Sequence, residues 1–497
     1  MVQTEQTETT PTTPNQASAQ ELQKRCRNDW RFYYGDVLGG GPIWGKQTEI
    51  WDSVQNRKRT LVVSGHSTGK DYNTGRIVPW FVQCFVPSIV ITTAPTDRQV
   101  AKIIWGEIRA AVHSSKFPLG GRLLNQEWLF NERHYAIGFT TRDYATQSQK
   151  FQGFHQENVL IVLSEAAGIH QNIWDAVEGV STGKHVRFLA TTQPTGDAGP
   201  FMDAYRNGCH NKDLKCPCPK WHIIHISSWE AAEANERLNI PALAAKEWCQ
   251  ERRDNWGEEG PLYQVRVLGL IPKVSTDAII SLAWAVQATE LELSIEGAAA
   301  VGVDVAWKGD DDSVITVARG QRQTRKEIIH GQDTIEVANR TLQVLREEKL
   351  KNVAVDVGGV GAGVYDNLMA ASEEMGLTVI GVNFGGSPED KILYVDKGSE
   401  MWWLLREDLR NGLFQLLPGN DQIAQLTNRK YKTPKGRIKI EPKPDMKKRG
   451  VKSPDEADSL VLAREAQRNV GASLLTSTSP EEETQSEKDP AVWREVG

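Results

Sequence analysis

The feature that most constrains the fold is a series of short apolar runs that alternate with helical patterns between residues 22 and 230. The runs are rich in β-branched residues, and they cover residues 60–64, 88–93, 159–163 and 185–190. Such alternation is typical of a parallel sheet covered by helices. Because parallel sheets place their chemistry at the carboxyl ends of the strands, the polar residues after these runs are the first candidates for a site.

The first run leads into a glycine-bearing loop with the character of a phosphate-binding loop. The loop consists of Ser64, Gly65, His66, Ser67, Thr68, Gly69, Lys70 and Asp71. In such loops backbone N–H groups and a helix N-terminus point at phosphates, while the lysine neutralises their oxygens. Ser64 replaces the usual first glycine, and Asp71 replaces the hydroxyl residue that usually meets Mg²⁺. A Gly-Lys pair also occurs in loops by chance, so the loop alone does not establish a nucleotide site.

The third run ends in Ser164 and Glu165. A glutamate at this place polarises the attacking water in NTPases, whereas the residue before it is usually a metal-linked aspartate. With Asp71 in the loop and Ser164 after the strand, the hydroxyl and carboxylate that hold Mg²⁺ are exchanged across the site. One hypothesis is that this exchange preserves ATP hydrolysis. The alternatives are that both changes cripple the ATPase, or that a buried strand merely ends in glutamate.

Other polar residues accompany the loop. Gln47 precedes it at a distance that suits reading adenine, although an isolated glutamine is usually a surface residue. Arg98 and Arg142 are candidates for the arginine that neutralises transition-state charge, and the sequence does not choose between them. The fourth run closes with three residues that could sense the γ-phosphate: Thr191, Thr192 and Gln193.

A second sheet is predicted from residue 298, where a strand, a charged turn and another strand form a hairpin. Asp304 and Asp356 each stand among small residues on the strand face opposite a row of valines. A carboxylate in such surroundings is costly unless it is paired or metal-bound. A single case is more often a strand-end residue that reaches water, but two matching cases favour metal ligands.

The third acidic element follows a helix start. Ser453 with Glu456 forms a capping-box pattern, with Pro454 at the first helical position. Asp455 and Asp458 are then three residues apart on one helix face. Together with the two strand aspartates they resemble the carboxylates of a two-metal phosphodiester hydrolase, in which one ion activates water and the other stabilises the leaving oxygen. Asp458 is the favoured ligand, and Asp455 either helps or only serves the helix dipole.

A basic stretch precedes this helix. The chain as a whole carries a formal charge of −6, but residues 428–452 contain eleven Lys or Arg against two acidic residues, a local balance of +9. The stretch is either a solvated loop or, so close to the aspartates, a contact for DNA phosphates. The DNA-binding candidates are Lys430, Lys432, Lys435, Arg437, Lys447, Lys448 and Arg449.

These patterns predict a disordered segment at 1–21, an ATPase domain at 22–230, a helical connection at 231–297, a nuclease domain at 298–470 and an acidic flexible tail at 471–497.

The sequence contains no run of about 18 apolar residues, so no membrane span is predicted. The N-terminus lacks the features of a secretory signal. Six cysteines are sparse for this length and fit a reducing cytosol. A group of four residues could hold zinc or form an ordinary loop: Cys209, Cys216, Cys218 and His222.

In their order and spacing these elements resemble the large terminase subunits of tailed bacteriophages, over roughly residues 30–470. The resemblance is carried by WGKQTEIWDSV, SGHSTGKD, TTAPTDRQV, FQGFHQENVLIVLSEAAGI, TTQPTGDAGPF, VRVLGLIP, GVDVAW, AVDVGGVGAGV and SPDEADSL. It implies an α/β chain with a RecA-like P-loop ATPase domain followed by an RNase H-like nuclease domain. It also implies ATP in the first domain and Mg²⁺ or Mn²⁺ in the second.

By matching position, the resemblance makes Lys70 the phosphate lysine and Glu165 the catalytic glutamate. It makes Asp304, Asp356 and Asp458 the nuclease ligands. Residues 191–194 would be the coupling motif, which is more often Gly-Asn-Pro-like and is altered here at its second and third residues.

The implied function is a motor in the host cytoplasm that hydrolyses ATP to move double-stranded viral DNA into a procapsid and cuts concatemers. Its implied partners are the portal protein, a small terminase subunit and further copies of the chain in a ring of five. One alternative is a transposase- or resolvase-like nuclease with a vestigial ATP site. Another is a non-catalytic ring component on a portal.

Overall fold

The computed structural model describes residues 14–141, 156–179, 185–196, 199–211, 220–272, 277–306 and 312–477, with the side chains of 14–18, 177–178 and 471–477 left aside. The chain divides into two compact units, Met1–Thr276 and Asp277–Gly497. The segment 231–297, predicted as a connection, is therefore shared between the two units. The limits predicted for the domains stay predictions.

The first unit is built on an eight-stranded sheet in the order β3-β4-β5-β2-β6-β7-β1-β8. Six strands run parallel, from β5 to β8 in that order, and β3 and β4 are antiparallel additions at one edge. The four apolar runs of the sequence are β1, β2, β6 and β7, as predicted. The strands are β1 Arg59–Ser64, β2 Ser88–Ala94, β3 Arg122–Leu123, β4 Glu127–Asn131, β5 His134–Thr140, β6 Asn158–Ser164, β7 His185–Thr192 and β8 His222–Ile226.

Helices cover the sheet and fill the connections. The central strands β2 and β6 are buried on both faces, which is why they consist of apolar and uncharged polar residues without apolar–polar alternation. Short π-helical turns occupy Tyr33–Val37 and Gln99–Ile104, and a 3₁₀ turn occupies Ala166–Gly168. The α-helices are α1 Pro14–Asn28, α2 Trp30–Phe32, α3 Gly45–Asn56, α4 Lys70–Cys84, α5 Trp105–His113, α6 Gln171–Gly179, α7 Pro200–Arg206, α8 Ser228–Leu238, α9 Lys246–Trp256 and α10 Pro261–Arg266.

The N-terminal segment departs from the prediction. Residues 14–21 were expected to be disordered, but they form the first half of α1. The helix is fixed by contacts from its second half to α4: the Gln23 amide donates to the Gln83 carbonyl at 3.0 Å, and the Trp80 indole donates to the Cys26 carbonyl at 2.9 Å. Composition alone misses this helix because tertiary contacts, not local hydrophobicity, hold it.

The second unit contains a five-stranded sheet in the order β11-β10-β9-β12-β13. The first three strands form an antiparallel meander, and β12 and β13 join parallel to β9. This order and these directions are those of the RNase H-like fold. A separate pair, β14–β15, is antiparallel. The strands are β9 Ala299–Asp304, β10 Ser313–Arg319, β11 Arg322–Ile329, β12 Asn352–Asp356, β13 Thr378–Val382, β14 Tyr431–Lys432 and β15 Lys439–Ile440.

Helices pack on both faces of this sheet. Val301 and Val303 of β9 share one apolar cluster with residues of α12 and α13, whereas Gly302 faces α18. No described helix has the length and apolar character needed to cross a lipid bilayer. A 3₁₀ turn occupies Pro434–Gly436. The α-helices are α11 Leu282–Ala288, α12 Thr334–Glu348, α13 Gly361–Ala370, α14 Ser372–Met375, α15 Lys397–Arg410, α16 Asn420–Asn428, α17 Lys443–Lys448 and α18 Asp455–Ser477.

Gly302 allows α18 to approach β9 closely. A Cβ at this position would lie 2.1 Å from the Ser459 carbonyl oxygen and 2.2 Å from the Ala463 nitrogen. Since both are backbone atoms, Gly302→Ala should lower the free energy of unfolding of the second unit by about 3 kcal/mol. Gly385→Ala is the control, because its nearest atom would be at 3.5 Å. Urea unfolding of both variants measures the difference, and equal midpoints would contradict the packing described.

The start of α18 differs in detail from the predicted capping box. The Ser453 hydroxyl is buried and has no hydrogen-bond partner among the described residues. The side-chain oxygen of Gln425, on α16, instead accepts from the backbone N–H groups of Glu456 at 2.8 Å and Ala457 at 3.2 Å. A side chain distant in sequence thus satisfies the helix terminus, which local pattern cannot foresee. The helix begins at Asp455, one residue after the predicted first position at Pro454.

Candidate functional site

Three predicted elements of the first unit meet at the carboxyl ends of adjacent parallel strands. The loop follows β1, Glu165 follows β6, and Gln193 follows β7, which lies between them. The Lys70 ammonium lies 2.8 Å from one Glu165 carboxylate oxygen, and the other oxygen accepts from the Gln193 N–H at 3.4 Å. The sheet order therefore brings the predicted phosphate lysine, catalytic glutamate and coupling residue into one contact.

The charges of this cluster are enclosed. Lys70 is 7% exposed, and burial disfavours its charge, but the carboxylates of Glu165 and Asp71 outweigh burial and raise its pKa. Glu165 adopts left-handed backbone angles, φ 49° and ψ 49°, which are uncommon for a residue other than glycine. This conformation turns the side chain out of the strand path toward the lysine.

The loop itself is held by α3. The buried Gln47 amide donates to the Gly69 carbonyl at 3.3 Å, and its oxygen accepts from the Trp44 N–H at 3.4 Å. Gly69 has φ +80°, and a Cβ there would lie 2.4 Å from the Gln47 nitrogen. Gln47 thus supports the phosphate-binding loop, and its role in reading adenine stays a prediction.

His66 connects the loop to the coupling residues. Its Nδ1 lies 2.9 Å from the Gln193 amide nitrogen, so this nitrogen accepts and Nε2 carries the proton. Burial, together with the positive charges of Arg266 and Lys70, lowers the pKa of His66 to about 3. The ring is therefore neutral and serves as a fixed acceptor. Sequence reasoning placed His66 in the loop but did not foresee this contact.

This shift predicts a pH dependence of stability. The imidazole has a pKa of about 3 when folded and 6.5 as the reference value, so the unfolded chain takes up the proton first as pH falls. The contribution of the neutral His66 ring to the free energy of unfolding is complete above pH 6.5 and is lost progressively toward pH 3. Compared with His66→Gln, the parent should lose about 2 kcal/mol more between about pH 7 and about pH 4.5. Urea unfolding at both pH values measures this, and equal losses would contradict it.

The remaining loop residues are enclosed as well. Burial is the main cause that raises the pKa of Asp71, and Lys70 opposes it. Ser164 is buried at the end of β6. Two loop hydroxyls, of Ser64 and Thr68, are buried and have no hydrogen-bond partner among the described residues. Such orphaned polar atoms fit a site that takes a polar ligand.

The other ATP-site candidates are placed as follows. Thr191 is buried, with no partner for its hydroxyl among the described residues, and Thr192 accepts from the Ala167 N–H at 3.1 Å. Arg98 is exposed on the segment after β2. Arg142 lies outside the described residues. The choice between the two arginines therefore stays open.

In the second unit three aspartates surround one ammonium group. The Lys443 nitrogen lies 3.2 Å from Asp304, 3.6 Å from Asp455 and 3.0 Å from Asp458. Burial disfavours the lysine charge, but these carboxylates outweigh it and raise the pKa of Lys443 well above its usual range. The sheet and the start of α18 thus bring Asp304, Asp455 and Asp458, three of the four predicted carboxylates, around one positive charge.

Asp458 is tied to the protein on its other oxygen. That oxygen, which is fully buried, accepts from the Arg429 guanidinium at 2.8 Å and from the Trp402 indole at 2.8 Å. Burial alone would raise the pKa of Asp458, but Lys443 and Arg429 outweigh burial and lower it. The Arg429 side chain also stacks over the Trp402 ring at 4.7 Å. Asp458 is therefore ionised and anchored.

The other aspartates are in different states. Burial raises the pKa of Asp304 well above its usual range, and the neighbouring carboxylates add to this while Lys443 opposes it. Burial also raises the pKa of Asp356, whose carboxylate accepts from the Gly358 N–H at 2.8 Å. Asp455 accepts from the Asp312 N–H at 3.2 Å.

A divalent ion would suit this cluster by charge and donor type, since carboxylate oxygens are the donors that Mg²⁺ and Mn²⁺ prefer. Among the described residues no three His, Cys, Asp or Glu side chains are already spaced to hold a metal. The Lys443 ammonium instead provides the positive charge that the three aspartates need. A metal could therefore be held here only where the lysine group moves aside.

The basic stretch is partly neutralised. Arg449 pairs with Glu441 at 2.7 Å, Lys448 with Asp445 at 2.9 Å, and Lys430 with Asp277 at 3.2 Å. Lys432 and Lys435 are exposed on or beside the β14–β15 pair, and Arg437 is half-buried there. Lys447 lies on α17. Their contact with DNA stays a prediction.

Two of the four residues predicted as zinc candidates lie in the described part of the chain. The His222 ring is buried and lies 2.7 Å from the Ser53 hydroxyl, which already engages Nδ1. Cys209 is half-buried beside it through a backbone bridge. Cys216 and Cys218 lie outside the described residues.

Sequence reasoning missed three residues of the second site: Lys443, Arg429 and Trp402. Lys443 and Arg429 belong to the basic stretch, and the available signal was their nearness to the aspartates in sequence. Trp402, in α15, gave no such signal. A buried aspartate requires hydrogen-bonding or charged partners, but the sequence does not indicate which residues provide them.

Comparison with known proteins bears on the whole chain. No protein-family model matches it. It is 27% identical over 506 residues to a probable terminase large subunit of Enterobacteria phage P7, covering 95% of each chain. Among solved structures, the nuclease domain of the large terminase subunit gp2 of bacterial virus Sf6 is 20% identical, with 37% of this chain and 97% of that chain covered and a TM-score of 0.35. A large terminase from a thermophilic bacteriophage in complex with ADP is 12% identical, with 84% and 98% covered and a TM-score of 0.40.

The order and direction of the strands establish the fold. The two sheets and their sites define an α/β chain in which a RecA-like P-loop fold is followed by an RNase H-like fold. Within that class, the chain is similar along 95% of its length to a probable large terminase subunit of a phage. The resemblance to large terminase subunits, which the sequence motifs carry, is thereby confirmed.

Proposed function

We propose that the chain is the ATP-hydrolysing and DNA-cutting subunit of a viral DNA-packaging motor. The observation that carries the proposal is the meeting of Lys70, Glu165 and Gln193 at the end of three adjacent strands, in a chain whose second unit gathers aspartates around one charge. The first arrangement suits binding and hydrolysis of a nucleotide, and the second suits metal-dependent cleavage of a phosphodiester. Together they match a motor joined to a nuclease.

In the first unit Lys70 would neutralise the ATP phosphates, and Asp71 with Ser164 would hold Mg²⁺. Glu165 would orient the attacking water. Because Glu165 pairs with Lys70 at 2.8 Å, phosphate binding must compete for the lysine and release the carboxylate for that task. The bond between Gln193 and Glu165 then gives the coupling residues a direct contact with the group that does the chemistry.

In the second unit Asp304, Asp356 and Asp458 would hold Mg²⁺ or Mn²⁺, with Asp455 as a helper. The ions would supply an activated water and stabilise the leaving oxygen of a phosphodiester. Lys443 and Arg429 favour the ionised form of Asp458, so this carboxylate is ready to bind a cation. Lys443 compensates the carboxylates and competes with the metal.

The substrate would be double-stranded DNA, bound mostly through its phosphates because a packaging motor must accept any sequence. We propose a ring of five copies on the portal protein in the host cytoplasm, with a small terminase subunit delivering the DNA. Raised salt should weaken DNA binding steeply.

ATP hydrolysis with and without duplex DNA tests the motor. DNA should stimulate the parent, and Lys70→Ala should lower hydrolysis at least about a hundredfold. Asp71→Ala should also lower it by about a hundredfold if its carboxylate holds Mg²⁺. Asp36→Ala, on the π-helical turn, is the matched acidic control. Equal rates for Asp71→Ala and parent would refute the exchanged ligand set.

The same assay addresses the alternatives. A transposase- or resolvase-like nuclease with a vestigial ATP site should show no DNA-stimulated hydrolysis in any variant. A non-catalytic ring component should show neither hydrolysis nor cleavage.

A further inference from the structure

The most exposed large apolar side chain among the described residues stands beside the β14–β15 pair. Ile392 is 84% exposed, and its neighbour Leu393 is 49% exposed. We call these two residues the apolar tip. Single exposed apolar residues are ordinary, so the tip is informative only through what surrounds it.

The apolar tip lies in a turn that is held by hydrogen bonds. One Asp390 carboxylate oxygen accepts from the Ile392 N–H at 2.9 Å and from the Leu393 N–H at 3.0 Å. The Asp390 carbonyl accepts from the Tyr394 N–H at 3.0 Å. Tyr394 is buried beneath. The two apolar side chains are therefore displayed by a braced backbone, which lowers the entropy lost when they bind.

Backbone hydrogen bonds join the tip to a basic hairpin, defined as residues 430–440. The Ile438 N–H donates to the Leu393 carbonyl at 2.7 Å, and the Val395 N–H donates to the Ile438 carbonyl at 3.0 Å. Nearby carboxylates are already engaged: Glu389 pairs with Lys397 at 2.9 Å, and Asp396 accepts from the Ser399 N–H at 2.9 Å. The basic residues of the hairpin are Lys430, Lys432, Lys435, Arg437 and Lys439.

The hairpin leads directly to the aspartate cluster. Lys443, which contacts Asp304 and Asp458, lies five positions after Ile438 in the chain. That length of chain spans at most about 18 Å. One turn of duplex DNA is about 34 Å long. A duplex whose phosphate lies at the aspartates can therefore also reach the hairpin and the tip.

We propose that the apolar tip is a wedge for duplex DNA, with Ile392 entering the minor groove and partly unstacking one base step while the hairpin cations hold the phosphates. An apolar side chain between base steps kinks the duplex without reading its sequence. This suits a nuclease that accepts any sequence. The inference rests on the proposed cutting of DNA and adds the surface that positions the duplex for it.

The test uses the full chain and a duplex that carries one 2-aminopurine, placed at successive positions in a set of otherwise identical duplexes. We expect the parent to raise the fluorescence at every interior position, because a wedge that does not read sequence enters the duplex at any register. Ile392→Ser should abolish this rise and weaken binding about tenfold, because an apolar contact is lost. Its control is Ile335→Ser, since Ile335 is 58% exposed on α12. Ile392→Ser should keep the salt dependence of binding, whereas Lys435→Gln should lower its slope.

Two outcomes overturn the wedge, and they are distinguishable. If the parent cleaves duplex DNA with Mn²⁺ but Ile392→Ser matches it in binding and fluorescence, the wedge is refuted while the proposed nuclease stands. A tip that instead contacts another protein would give this result. If the parent does not cleave duplex DNA, the proposed function fails and the wedge fails with it.

Discussion

Asp458→Ala is expected to destabilise the second unit by about 3–5 kcal/mol, because it leaves a buried charge without its partner. Arg429 is 3% exposed, and its guanidinium would lose the carboxylate at 2.8 Å. The Trp402 indole would lose its acceptor as well. Urea unfolding, followed by the fluorescence of the tryptophans, measures the loss.

Two comparisons make this result specific. Asp455→Ala, in the same helical turn, should cost less, about 1–2 kcal/mol, because it loses one backbone hydrogen bond at 3.2 Å and a longer contact with Lys443 at 3.6 Å but leaves no buried guanidinium unpaired. The double variant Asp458→Leu with Arg429→Met should recover most of the loss, since apolar residues of similar volume often replace a buried ion pair without cost. A normal unfolding midpoint for Asp458→Ala would show that the aspartate has no structural role.

The strands and the positions of the candidate ATP-site residues were predictable because each has a local sequence signal. A buried parallel strand is predominantly apolar, so β1, β2, β6 and β7 are recognisable as apolar runs, and the ends of β1 and β6 indicate Lys70 and Glu165. Gly302 and Asp304 lie on the strand face opposite the valines of β9 because successive residues of a strand point to opposite faces. The topology then brings these marked positions together at one edge of each sheet.

The rest was not predictable, for a physical reason. Gln425, Lys443 and Trp402 act on residues that they reach only through tertiary packing. Ser453 has the chemistry to cap α18, yet its hydroxyl makes no bond among the described residues and Gln425 supplies the cap. A local sequence pattern indicates that a helix terminus or a buried charge requires a hydrogen-bonding or charged partner. Tertiary packing determines which residue provides that partner.

Both sites share one electrostatic arrangement. In the first, Lys70 neutralises Glu165, and in the second, Lys443 lies among Asp304, Asp455 and Asp458. A buried carboxylate must have a partner, so in each site a lysine fills that need. Ligand binding then exchanges one charge for another instead of desolvating a new one, which limits the free-energy cost of binding.

Asp304→Asn is expected to lower Mn²⁺-dependent cleavage of plasmid DNA by about a thousandfold, because one donor to the metal loses its charge. ATP hydrolysis should be unchanged, since Asp304 belongs to the second unit. Asp366→Asn is the matched control, on an exposed aspartate of α13. The stability of Asp304→Asn should stay close to that of the parent, because burial opposes the charge that the substitution removes. A variant that folds normally and still cleaves at the parental rate would remove Asp304 from the metal site, and with it the carboxylate cluster as the cutting centre.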